Sequence, residues 1–285
     1  MDTATTGDAL DPGLTGQEAR PIAGIDNGYL AGYRVRFDEA GPDGMMRTSS
    51  LLRYAQDIAW RHSEHLGFDR AWYLARGLGW VVRGVELELH APVPMGQTLR
   101  VSTAVVGHRR IWARRMGECR LADGSVAARV TTDWVLLDGR NRIVRIPDDF
   151  GVAFVNPEME SEILRVPAPA GDPVAAASLP VRRTDLDPLD HVNNAVYVDW
   201  LTEALDAAGW RGALEARGRS LRLEYLASAE HGSEVVVELF GHREAWTARI
   251  RRPGGGDLLR AHCAKLDEIG IAGWSAGPAE ASGLG

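Results

Sequence analysis

The densest run of reactive side chains is Thr184-Asp185-Leu186-Asp187-Pro188-Leu189-Asp190-His191-Val192-Asn193-Asn194. Asp187 and His191 put a carboxylate and an imidazole within one turn of each other, enough to activate a water and shuttle its proton. The run ends where an apolar helical stripe begins: Val192, Ala195, Val196, Leu201, Ala204, Leu205 and Ala208. Pro188 keeps Asp187 out of helical conformation. The helix is therefore expected to start at Asp190 or His191, where unpaired amides and partial positive charge collect. Such an end can polarise a carbonyl or hold an oxyanion. Asp, Asn and Pro before an apolar helix are also what an N-cap needs with no chemistry at all. Residue types alone leave both readings open.

Other reactive groups carry less. No Gly-x-Ser-x-Gly elbow is present. Cys119 and Cys263 fall in β-prone runs and read as small core residues. His62 and His65 lack acids at ligand spacing, so neither they nor any other cluster reads as a metal site.

The elements that must position the Asp187 run occur twice. YRVRFDEAGPDGMMRTSSLLRYAQDIA from Tyr33 lies over LPVRRTDLDPLDHVNNAVYVDWLTEAL from Leu179, with Pro42 on Pro188 and Asp57 on Glu203 at an offset of 146. Further on, VELELHAPVPMGQTLRVST from Val85 resembles LRLEYLASAEHGSEVVVEL from Leu221, with Glu88 on Glu224 and Gly96 on Gly232 at an offset of 136. Each half reads as a strand, a turn-rich loop, a long helix and several antiparallel strands. In the first half the helix carries Leu51, Leu52, Ala55, Ile58, Ala59 and Leu66, and the strands fall near 86–90, 99–105, 111–121 and 126–137. One helix followed by a run of strands buries its apolar face when the sheet wraps around it. The expected class is α+β, and no glycine-rich phosphate loop follows a strand.

Composition bounds the rest. The 285 residues hold 32 basic against 39 acidic side chains, a net charge of −7, which argues against a broad nucleic-acid surface. Two cysteines are too few for a disulfide framework. No apolar run approaches the ~18 residues of a membrane span. The first seventeen residues contain no basic side chain, unlike a secretory or transit signal, so the cytoplasm is the expected location.

DLDPLDHVNNAVYVDWLTEAL closely resembles the segment Asp-x-Asn-x-His-Val-Asn-Asn that opens the second helix of the acyl-acyl-carrier-protein thioesterases of plants and bacteria. SLLRYAQDIAWRHSEHLG, LGWVVRGVELELHAPVPMGQTLRVST, WARRMGECRLADGSVAARVTTDWVLLD and RIPDDF follow the order of that family, so the resemblance runs from about Tyr33 to Leu266. It implies a tandem double hotdog, each half a long central helix wrapped by an antiparallel sheet. The implied layout is an N-terminal tail over 1–28, a first hotdog with the acyl pocket over 29–156, a linker over 157–178, a catalytic hotdog over 179–269 and a tail over 270–285.

The resemblance also implies roles. Asp187 and His191 fall on the aspartate and histidine of the family's motif, while Leu189 stands where the family has an asparagine. Asn193 joins them as a catalytic candidate. A carboxylate on the central helix serves some single-hotdog thioesterases, and Glu203, or Asp57 in the first copy, holds that place. Asn194, Ser228 (where the family has a glutamate), Asp57, Ile58, Trp80 and Val82 are the candidates for substrate contact. No cofactor is implied. The substrate would be a thioester of acyl carrier protein or coenzyme A, and a homodimer is compatible with the fold. Hotdog hydratases and dehydratases, and a non-catalytic acyl or carrier-protein binder, are the alternatives.

Overall fold

A sheet with one apolar face and a helix with one apolar stripe hide both by wrapping the sheet around the helix, and this chain does so twice. The computed structural model describes residues 28–153 and 162–266. In the first half β1 (Tyr29–Arg34) leads to α1 (Thr48–His65) and α2 (Arg70–Arg76). Then follow β2 (Leu78–Leu89), β3 (Thr98–His108), β4 (Trp112–Arg120), β5 (Val126–Asp138) and the short α3 (Asp148–Ala153). The second half holds β6 (Ala175–Pro180), α4 (Asn194–Ala207), β7 (Arg219–Tyr225), β8 (Glu234–His242), β9 (Ala245–Arg251) and β10 (Asp257–Lys265).

The ten strands of the described residues form one antiparallel sheet in the order β1-β3-β4-β5-β2-β7-β10-β9-β8-β6. The halves join where β2 pairs with β7, from Gly84 opposite Glu224 to Leu89 opposite Arg219. The expected tails lie outside the described residues except for Gly28, Gly270 onward included, as do residues 157–161 of the expected linker. The linker's last four residues are already strand, because β6 begins at Ala175 and pairs with β8. Its earlier part is pinned to the sheet: the Leu164 amide donates to Asp133 Oδ2 at 2.7 Å and the Val166 amide to Glu224 Oε2 at 2.9 Å. Gly84 permits this crossing, since a Cβ there would stand 2.9 Å from Leu164 Cβ.

The repeat is visible bond by bond. Gly41 N donates to Met45 O at 2.8 Å and Asp187 N to His191 O at 2.8 Å; Arg47 N donates to Glu39 O at 3.0 Å and Asn193 N to Asp185 O at 2.9 Å. Gly44 and Asp190 occupy the matching turn position with φ of 75° and 60°. A non-glycine residue in this left-handed region is uncommon, and Asp is among the side chains that tolerate it. Contacts between equivalent positions mark the local two-fold axis. Arg53 Nη2 meets Asp199 Oδ2 at 2.6 Å, 146 residues apart, and Arg222 Nε meets Glu86 Oε1 at 2.8 Å, 136 residues apart.

The halves differ where the offset falls from 146 to 136. From the helix start to the equivalent position on the central strand the first half is ten residues longer, Thr48 to Val85 against Asn194 to Leu221, and α2 lies there. The helices differ too. α4 buries Val196, Val198, Leu201, Ala204 and Leu205 in the main core, each large aliphatic side chain contributing about 1.5–3 kcal/mol. α1 buries a polar set as well: Thr48, Ser49, Ser50, His62 and Ser63. One helix is packed solidly, while the other has a polar face to accommodate.

Candidate active site

Of that polar set, Ser63 borders a cavity of about 550 Å³, within the size range of small-molecule sites. Gln56, Asp57, Trp60 and Ser63 line it from α1, and Tyr73 and Leu74 from α2. The start of β2 adds Leu78, Gly79 and Trp80, and the inner sheet surface adds Val105, Ala113, Arg115 and Trp134. Val105 is opposite Arg115, and Ala113 opposite Trp134, in the strand register. The second half supplies only one end, with Asp187, Pro188, Leu189 and Asn193. A largely apolar chamber of the first half therefore opens beside the polar loop of the second.

At that end the two helices meet through side chains. Asn193 Oδ1 accepts from the Ala195 amide at 3.0 Å, which makes Asn193 the N-cap of α4, and Asn193 Nδ2 donates to Gln56 Oε1 at 3.1 Å. The helix starts at Asn194, so the expected start at Asp190 or His191 is corrected by three to four residues. The loop first closes a turn of its own, with an isolated bridge between Leu186 and Val192. Asp187 is accordingly no helix cap. Its Oδ1 accepts from the Leu189 amide at 2.8 Å and the His191 amide at 3.4 Å. Among the described residues its Oδ2 has no hydrogen-bond partner.

The other expected site residues fall in several places. Asp57 lines the cavity and accepts a 2.5 Å hydrogen bond from Tyr33 Oη. Burial and the Asp57 carboxylate both push the Tyr33 phenol far above its usual range, so it stays a donor. His191 is half-buried, and the hydrogen bonds of the loop join its backbone, not its imidazole, to Asp187. Asn194 offers its carbonyl to Tyr225 Oη at 2.9 Å. Trp80 lines the cavity and donates to Tyr73 Oη at 3.1 Å.

Six of the expected site residues, His191, Asn194, Ile58, Val82, Glu203 and Ser228, are not among the cavity's lining residues. Ile58 and Val82 belong to the main apolar core, although Val82 shares the strand parity of Trp80 and lies opposite Trp134. Glu203 is exposed on α4, ten residues and about 15 Å of helix rise beyond Asn193. The local two-fold places it toward the first copy's loop, while its counterpart Asp57 faces the loop that holds Asp187. Ser228 donates to the adjacent Ala229 carbonyl at 3.2 Å and lies away from the cavity.

The site residues that sequence reasoning passed over are Gln56, Ser63 and Arg115. Gln56 gave no signal, because a glutamine on a helix is ordinary. The ten-residue fall in offset did mark where α2 and Tyr73 enter. Within the cavity the Ser63 hydroxyl lies 2.9 Å from Tyr73 Oη, and burial raises that phenol's pKa.

The chain is similar to known proteins along both halves. The family model described as "Acyl-ACP thioesterase N-terminal domain" matches residues 26–154, and that of the C-terminal domain matches residues 172–248. A chloroplastic acyl-[acyl-carrier-protein] hydrolase FATB2 of Cuphea viscosissima is 26% identical over 262 residues, covering 81% of this chain and 61% of that protein. A chloroplastic oleoyl-acyl carrier protein thioesterase 2 of Arabidopsis thaliana is 26% identical over 278 residues, covering 85% and 73%. The chain thus spans about three fifths of the length of the Cuphea relative. Two solved structures share the fold. An acyl-ACP thioesterase from Bacteroides thetaiotaomicron has a TM-score of 0.72 at 16% identity, covering 84% of this chain and 98% of that one. The 12:0-ACP thioesterase from Umbellularia californica has a TM-score of 0.70 at 23% identity, covering 84% and 96%. With both of its halves matched in order, the chain belongs to the acyl-ACP thioesterase family.

Proposed function

We propose that the protein hydrolyses a fatty-acyl thioester of acyl carrier protein, with the acyl chain in the first-half cavity and the thioester at its Asp187 end. The observation that carries this reading is the cavity itself: apolar walls from one half, and a carboxylate and amides at one end from the other. Two backbone amides pin Asp187 Oδ1, which leaves Oδ2 to take a proton from an attacking water. The hydroxide equivalent adds to the acyl carbon, and collapse of the adduct expels the carrier thiolate, which regains the proton. Fixing the carboxylate in advance removes the reorganisation that a mobile side chain would need.

Oxyanion stabilisation needs a donor aimed at the carbonyl oxygen. Leu189 cannot supply the amide of the family's motif, and its side chain instead lies 3.7 Å from where a Cβ on Gly79 would be. Gln56 is positioned to take over. Asn193 holds its Oε1 at 3.1 Å, and its Nε2 has no partner among the described residues. The donor would thus come from α1 of the other half.

Free-thiol release from a panel of acyl-acyl-carrier-protein and acyl-coenzyme A substrates tests the proposal. Asp187→Asn should lower turnover by roughly 10²–10⁴-fold, with little change in melting temperature, because asparagine still accepts from Leu189. Absence of thiol release from every substrate would overturn it. Binding without turnover would make the protein an acyl binder, and hydration of an enoyl chain without cleavage would make it a hydratase.

A further inference from the structure

The chamber that should hold a hydrocarbon has a guanidinium in its wall. Arg115 projects from β4 into the cavity among Trp60, Tyr73, Trp80 and Trp134. Its recorded partner among the described residues is His62, whose Nδ1 lies 2.9 Å from Nη1. His62 is 1% exposed, and burial followed by the Arg115 charge pushes its pKa down to about 3, so it is a neutral acceptor. Burial pushes Arg115 itself down to about 10, which still leaves it charged at neutral pH. A guanidinium has five N–H donors, and none of the described carboxylates forms an ion pair with this one.

Its neighbours on the same sheet are different. Arg114 is held by Asp133 at 2.6 Å, Arg222 by Glu86 at 2.8 Å and Arg251 by Glu238 at 2.7 Å. A buried charge is ordinarily paired, because burying it without acceptors is expensive. A saturated chain filling the chamber would strip water from Arg115 and return no acceptor.

We propose that the cavity is built for acyl chains that carry an oxygen function, most favourably a carboxylate, which Arg115 binds at the far end from Asp187. This rests on the thioesterase reading and names the substrate class of that same site. The position along the chain follows from α1, which runs the length of the cavity. Gln56 lies at the Asn193 end and Ser63 beside His62, seven residues or about 10 Å of helix rise away. At ~1.2 Å per bond in an extended chain, that is roughly eight bonds from the thioester carbonyl. Tyr73 Oη and Ser63 Oγ stand beside the guanidinium end and complete a polar floor.

The test compares carrier protein loaded with decanoyl, ω-hydroxydecanoyl and ω-carboxynonanoyl chains, read as kcat/KM for thiol release. The carboxylated chain should be favoured over the plain one by roughly tenfold or more, consistent with a charge-assisted pair, with the hydroxylated chain between them. Arg115→Met should reverse the order, and Arg115→Lys should keep it with a smaller ratio. Calorimetric binding of an N-alkyl decanamide and its ω-carboxy derivative to the wild-type protein measures the same preference without turnover and without a variant that must fold. A plain chain preferred in both assays, or a preference unchanged in a folded Arg115→Met protein, overturns the inference. Thiol release without any such preference defeats this inference alone. Preferential binding of the carboxylated amide without thiol release defeats the thioesterase reading alone.

Discussion

Replacing His62 by asparagine should remove an acid-sensitive element from the first half while leaving an acceptor for Arg115. His62 is buried on α1, stacks on Tyr29 with ring centroids 5.8 Å apart, and has its pKa pushed from 6.5 down to about 3 by burial and the Arg115 charge. The unfolded chain therefore binds a proton at this position below pH ~6.5 that the folded chain refuses until about pH 3. Stability contributed by the neutral imidazole is full above pH ~6.5 and falls as pH drops through that window. At pH 5 the loss is about 2 kcal/mol, from ~1.36 kcal/mol for each of the 1.5 pH units below the unfolded value. The assay is urea unfolding of both proteins at pH 7.5, 6 and 5. His62→Asn should be the less stable at pH 7.5, because it loses the ring packing, and the gap should close by about 2 kcal/mol at pH 5. A gap that stays constant with pH would show that His62 is not held neutral, and would undercut the picture of an otherwise unpaired Arg115 beside it.

Asn193→Asp keeps an N-cap oxygen for Ala195 but cannot donate to Gln56, so thermal stability should stay nearly level while kcat falls about tenfold or more, as for a lost positioning contact. Asp57→Asn should alter kcat or KM, whereas Glu203→Gln, on the far end of α4, should leave both within about twofold; the reverse pattern would move the site to the first copy's loop. At the β2–β7 junction Glu86→Arg should destabilise by about 1–2 kcal/mol, and adding Arg222→Glu should recover most of it, a coupling read by a double-mutant cycle in urea.

The architecture was largely legible in the chain because its causes are local and repeated. The apolar stripe from Val192 to Ala208 and the β-prone runs of both halves specify helix and strands through side-chain period alone. The fall in offset from 146 to 136 even marked the position of the extra α2 segment. Asp187 was legible through its proline neighbour and the motif, and the structure puts it at the cavity. The exact start of α4 was not, because Asp190 in a left-handed turn and the Leu186–Val192 bridge insert a closed loop that no propensity encodes.

Which carboxylate and which amide share the cavity was decided only by tertiary structure. Asp57 and Glu203 are equivalent along the sequence and both are exposed, and it is the packing of α1 against the other half's loop that puts Asp57 at the cavity and leaves Glu203 outside it. Gln56 meets Asn193 across 137 residues, a contact that exists only once β2 and β7 have joined the two sheets. Ile58 and Trp80 are both large and apolar, yet one fills the core and the other lines the chamber, since facing depends on how each element is rotated against its neighbours. Arg115 reads as one arginine in an alternating strand. Its charge matters because the fold gives Arg114 on the opposite face an aspartate and gives Arg115 a cavity.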